Sequence, residues 1–111
     1  MAFDPAGFSI SISDRDGHAV VVIRGELDLA TAPELDAAIQ ARLDDGQNVV
    51  VDLRELEFMD STGLRVLVSA HARVEGTEQR FLIVRPLPGA SIERILAVAG
   101  VERVLYLIDD A

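Results

Sequence analysis

Residues 58–64 read FMDSTGL. Asp60, Ser61 and Thr62 in that stretch are the side chains whose types and spacing are best suited to chemistry. A carboxylate followed by two hydroxyls, after an apolar pair, admits two readings. In the first the three residues start a helix, because Asp and Ser accept hydrogen bonds from the free N–H groups of a helix's first turn. In the second a hydroxyl is a chemical target. An exposed Ser61 at a helix N-terminus would present a phosphate to unpaired backbone N–H groups. The helix dipole would favour the added charge by ~0.3–1 kcal/mol. Asp60 opposes that modification by like-charge repulsion, Thr62 is a rival acceptor, and Gly63 leaves room for another backbone or a partner to approach. The residue types alone favour the cap and leave both readings open.

Other chemistry is narrower. Glu26 and Asp28 lie in GELD, just after a strand, and Asp60 follows another strand. The ends of neighbouring parallel strands converge at one sheet edge, where α/β sites form, which would let Asp28 and Asp60 approach each other and Ser61. The alternative, favoured by residue type alone, is that both are only loop or cap residues. A Ser61–His71–Asp hydrolase fails on distance, since about ten residues of helix span roughly 15 Å. His71 reads as a structural histidine, and His18 sits beside a turn. There is no glycine-rich phosphate loop and no metal-ligand spacing. All ten basic residues are arginine and there is no cysteine. That excludes a Walker lysine, a Schiff-base lysine and a thiolate nucleophile. No enzyme, cofactor or metal site is expected. The net charge of −9 repels nucleic acid and permits a basic protein partner.

The elements that position these residues follow from hydrophobic periodicity. Phe8, Ile10 and Ile12 alternate with serines, the period of a strand with one wet face. Asp16-Gly17 is a hairpin turn pair, and His18 to Arg24 is a second strand. Thr31 and Glu34 form a capping-box pattern before a helix with Leu35, Ala38, Ile39 and Leu43 on one stripe, closed by Gly46. Asn48 to Leu53 is a buried strand and RELEFMD a loop. A helix from about Ser61 to Gly76 follows, with Leu64, Leu67, Val68 and His71 inward. Phe81 to Val84 is a strand, Ile92 to Ala99 a helix, and Val104 to Ile108 a last short strand or an extended edge. The expected fold is α/β: a small mixed sheet, with an N-terminal antiparallel hairpin and then parallel strands, and about three helices. Residues 1–111 suit one domain. No apolar run is long enough to cross a bilayer, and no signal peptide is recognisable, so a cytoplasmic location is expected.

GELD, the T-x-x-x-L helix start, VVVDL and above all FMDSTGL resemble the STAS-domain anti-anti-sigma factors, also called anti-sigma factor antagonists. The resemblance covers roughly residues 8–108. It implies a STAS-like fold and binding to an anti-sigma factor that is also a serine kinase, so that a sigma factor is released. It implies phosphorylation of Ser61 (Thr62 the alternative), which ends binding, and a phosphatase that restores it. Asp28, Asp60 and Gly63 would support that site, and Thr62, Arg65 and Ser69 would face the partner. No nucleic acid or membrane is implied, and a homodimer is left open. The alternative is a non-phosphorylated STAS adaptor of a transporter or signalling assembly. The family usually ends in a longer C-terminal helix, whereas this sequence finishes YLIDDA.

Overall fold

The computed structural model describes residues 7–101 and 104–109. Strands β1 (Ser9–Arg15) and β2 (His18–Leu27) pair antiparallel, from Ser9↔Arg24 to Arg15↔His18. Their turn is Asp16–Gly17, both at positive φ (52° and 83°), the geometry that follows the twist of the strands it joins. Then come α1 (Ala32–Asp44), β3 (Asn48–Asp52), β4 (Leu56–Met59), α2 (Ser61–Val74), β5 (Phe81–Val84), α3 (Ser91–Ala99) and β6 (Leu107–Ile108). The sheet order is β1-β2-β3-β5-β6, with β4 pairing β2 off that path. Every pairing after the hairpin is parallel. The mixed α/β class with three helices is therefore the one the periodicity predicts.

Strand alternation sends Ala19, Val21, Ile23, Val49, Val51, Phe81 and Ile83 to one face. There they pack with Leu35, Ile39 and Leu43 of α1, Leu67, Ala70 and Val74 of α2, and Ile92 and Leu96 of α3. Each fully buried Leu or Ile contributes about 1.5–3 kcal/mol, so this layer is what fixes the helices on the sheet. A smaller cluster of Val20, Val50 and Val84 on the opposite face includes no helical residue. On that face Ser11 and Ser13 of β1 are exposed, as the serine alternation predicts.

Four local expectations differ. RELEFMD holds a strand rather than a loop throughout. Its burial runs in, out, out, in over Leu56–Met59, which a search for strict alternation passes over. Strand β2 extends beyond Arg24 to Leu27 because β4 is there to pair with it. The capping box does not form, since the Thr31 side chain makes no cap bond to α1. The final strand shrinks to Leu107–Ile108.

Gly25 makes the change of partner along β2 workable. β2 pairs with β3 as far as Val22 and with β4 from Gly25, and the register of the β2–β4 pairing shifts between Gly25 and Glu26. Gly25 has φ 91°, and a Cβ there would stand 2.5 Å from the carbonyl oxygen of Gly7. No L side chain fits that position without displacing backbone.

Candidate functional site

The ends of β2 and β4 carry GELD and FMD side by side. Glu26 aligns with Phe58 and Leu27 with Met59, and the Asp60 N–H donates to the Leu27 carbonyl at 3.1 Å. Two motifs far apart in sequence are thus one piece of structure. Beyond it, each chain segment turns into a helix.

Asp60 is the N-cap of α2. One of its carboxylate oxygens, Oδ1, accepts from the N–H groups of Thr62 (2.8 Å) and Gly63 (3.1 Å), and its carbonyl accepts from Leu64 N–H at 3.1 Å. Ser61 is the first helical residue and is exposed. Two of the helix-start N–H groups, expected to be unpaired and open to a phosphate on Ser61, are therefore already held by Asp60. A dianion on Ser61 would point to solvent next to a carboxylate, with no preformed cradle among these groups.

Asp28 is at the same sheet edge but serves its own turn. Its Oδ1 accepts from the N–H groups of Ala30 (3.0 Å) and Thr31 (3.2 Å). Thr31 Oγ1 accepts from the Asp28 N–H at 2.9 Å and lies 2.8 Å from the Glu26 carbonyl, to which it donates. Among the described residues, no hydrogen bond joins the Asp28 carboxylate to Asp60 or Ser61. The expected proximity is one of loops, not of cooperating carboxylates.

Gly63 does leave room, but its own chain fills it. A Cβ at Gly63 would lie 2.6 Å from Leu27 Cγ and 3.0 Å from Met59 Cγ. Leu27 and Met59 are both fully buried. The first turn of α2 is seated directly on the β2–β4 pair, and Gly63 permits that approach.

Thr62, Arg65 and Ser69, singled out from the sequence, line one groove of about 310 Å³. Its other wall is Leu29, Ala32, Pro33 and Asp36, from the start of α1 and the loop before it, with Val66 on the α2 side. Leu29 is 74% exposed, an apolar side chain held at the groove and left open by the described residues. Farther along, Arg73 of α2 pairs with Asp44 of α1 at 2.6 Å and bonds Gln40, which ties the helices together beyond the groove. The α1 wall was missed in the sequence. Leu29 stands off the Leu35–Ile39–Leu43 stripe, ahead of the helix, and that lone apolar residue was the available signal.

His71 is buried on α2, as a structural histidine should be, with Nε2 3.3 Å from Glu75 Oε2. Among the described residues no three His, Cys, Asp or Glu side chains gather as a metal site, and no helix is long and apolar enough to cross a membrane.

Residues 10–109 match the family described as Mlab, STAS domain. The chain belongs to the STAS-domain family. Among relatives of this STAS chain, the anti-sigma-F factor antagonist RsfB of Mycobacterium tuberculosis is 31% identical over 104 residues, covering 93% of this chain and 83% of RsfB. The crystal structure of an anti-sigma factor antagonist from Mycobacterium paratuberculosis superposes with a TM-score of 0.84 at 31% identity, covering 96% of this chain and 90% of the other. The Bacillus protein SpoIIAA shares the fold at 20% identity. Its unphosphorylated form has a TM-score of 0.70, covering 95% of this chain and 90% of that one. Its phosphorylated form has a TM-score of 0.68, covering 95% and 92%. The names of these relatives are those of regulatory proteins and not of enzymes.

Proposed function

We propose that this STAS domain is an anti-sigma factor antagonist that docks an anti-sigma factor, itself a serine kinase, through the α1–α2 groove and the exposed start of α2. Phosphorylation of Ser61 ends the docking, a phosphatase restores it, and the sigma factor is free while the complex lasts. Support for the class comes from the relatives named above. The observation that carries the site is the exposed Ser61 hydroxyl beside a groove with an uncovered leucine, on a helix start whose Thr62 and Gly63 N–H groups are already bonded. Thr62 is the weaker acceptor, being half-buried.

The switch follows from electrostatics. A phosphoserine adds about −1.5 to −2 charges at pH 7. With the Thr62 and Gly63 N–H groups occupied, solvent and the ~0.3–1 kcal/mol of the helix dipole stabilise that charge. Covering it with a partner that supplies no cation removes the solvent and costs several kcal/mol. A penalty of ~3 kcal/mol lowers affinity more than a hundredfold. No refolding is needed, because Ser61 is exposed at the first position of α2.

The test is calorimetric titration of the anti-sigma partner from the same organism with the unmodified chain, Ser61→Ala and Ser61→Asp, together with mass measurement after incubation with that partner and ATP. The expected outcome is one added phosphate on the native chain, none on Ser61→Ala, retained binding by Ser61→Ala and loss of binding by Ser61→Asp. Equal affinity of the two variants would sink the proposal. Binding without any added phosphate would instead support a constitutive STAS adaptor.

A further inference from the structure

At the end of α2 away from Ser61, a second cleft of about 470 Å³ lies between α2, β5 and β6. That is the size of a small-molecule site, and the phosphorylation switch makes no use of it. Its walls are apolar and aromatic, with Phe81, Leu107 and Tyr106 among them, while His71, Glu75 and Arg80 supply polar groups.

The polar groups are incompletely paired in a way that specifies chemistry. His71 is 6% exposed. Its Nε2 faces the Glu75 carboxylate at 3.3 Å. A carboxylate only accepts, so Nε2 carries the proton, and in the neutral ring Nδ1 is left as an acceptor. Nδ1 is buried and has no hydrogen-bond partner in the chain. Arg80 is exposed, and its guanidinium makes no hydrogen bond or ion pair among the described residues. Tyr106 is 66% exposed and stands with its ring centroid 5.5 Å from that of His71, at 58°. The cleft thus presents a cation at Arg80, an acceptor at Glu75 and an aromatic wall between apolar side chains, with the unpartnered Nδ1 of His71 buried in its lining.

We propose that this cleft binds a small aromatic acid that also carries a hydroxyl or N–H donor. The ligand carboxylate pairs with Arg80, the pairing a guanidinium favours. Its ring lies against Tyr106, Phe81 and Leu107. Its donor end turns toward the Glu75 carboxylate, beside His71. Glu75 sets the polarity, since it repels the acid end and accepts from the donor end. The site and the Ser61 switch are separate surfaces, and neither reading depends on the other.

The test is an NMR titration of the full ¹⁵N-labelled chain with three probes: 4-hydroxyphenylacetate, phenylacetate, which lacks the donor, and tyrosol, which lacks the acid. The expected result is saturable shifts within residues 71–82 and 106–108 for 4-hydroxyphenylacetate. Deleting either end should weaken binding about threefold to tenfold, the worth of a net hydrogen bond. Arg80→Gln, a surface change that leaves the core intact, should weaken the two acids and leave tyrosol unchanged. Leu107→Trp, which fills the cleft, should abolish all three. Equal affinity for the three probes, no saturable shift at millimolar concentrations, shifts centred on Thr62, Arg65 and Ser69, or indifference to Arg80→Gln would each overturn the proposal.

Discussion

Asp60 holds two N–H groups of α2 through a single oxygen, so its removal leaves both to solvent. Asp60→Ala is expected to cost about 1 kcal/mol, the usual worth of an N-cap. For a chain of this size that lowers Tm by about 4–8 °C, read by thermal unfolding. Gly63→Ala acts by a different route. The new methyl meets Leu27 and Met59, which are locked in the core. Overpacking of that kind costs about 1–3 kcal/mol, and a Gly63→Ala chain as stable as the parent would show that α2 can lift off the sheet freely. The helix start was legible in the sequence because Asp followed by Ser and Thr is a local pattern with a local cause. What fills the space beside Gly63 was not, because Leu27 arrives from a distant strand and no local pattern announces it.

The elements around the site show the same division. Helices α1 and α2 were readable from their apolar stripes, since each stripe reports the face toward one layer. Strand β4 was not, because its two middle residues, Glu57 and Phe58, are both exposed. Only the end of β2, which runs on past its last β3 partner at Val22, makes it a strand. That pairing brings the GELD loop, and with it Leu29, alongside the start of α2. Leu29→Ser is therefore expected to leave Tm unchanged, because the side chain is 74% exposed. It should also weaken the anti-sigma partner in a calorimetric titration. Burying a leucine is worth about 1.5–3 kcal/mol, so the loss expected is tenfold or more. Unchanged affinity would move the docking surface away from the α1–α2 groove.

At the scale of the molecule, a carboxylate buried among the described residues ties stability to pH. Asp52, the last residue of β3, is 5% exposed. Burial alone pushes its pKa up. The Arg54 side-chain hydrogen bonds, the Arg54 backbone N–H and the charges of Arg54 and Arg24 together outweigh it, and the carboxyl ends below its ordinary 3.8. Two contacts carry most of that, Arg54 Nη2 to Oδ2 at 2.7 Å and Arg54 N–H to Oδ1 at 2.9 Å. VVVDLR was legible as a strand with a charged exit, but the bidentate closure of Arg54 on Asp52 was not, since it depends on how the chain turns after β3. A depressed pKa means that the folded chain binds fewer protons than the unfolded one between the two values, so stability rises with pH there. The Asp52 contribution is complete above pH ~4, near the ordinary aspartate value, and is lost as the pH falls through the lower folded value. In urea unfolding at a series of acidic pH values, Asp52→Asn should lower stability at pH 7 and flatten its decline below pH ~4. Arg54→Ala should also destabilise at pH 7, by about 1–3 kcal/mol, because it strips the buried carboxylate of its side-chain donors. Identical acid profiles for the parent and Asp52→Asn would mean that the surface carboxylates behind the net charge of −9, rather than the Asp52–Arg54 pair, govern how this sheet responds to acid.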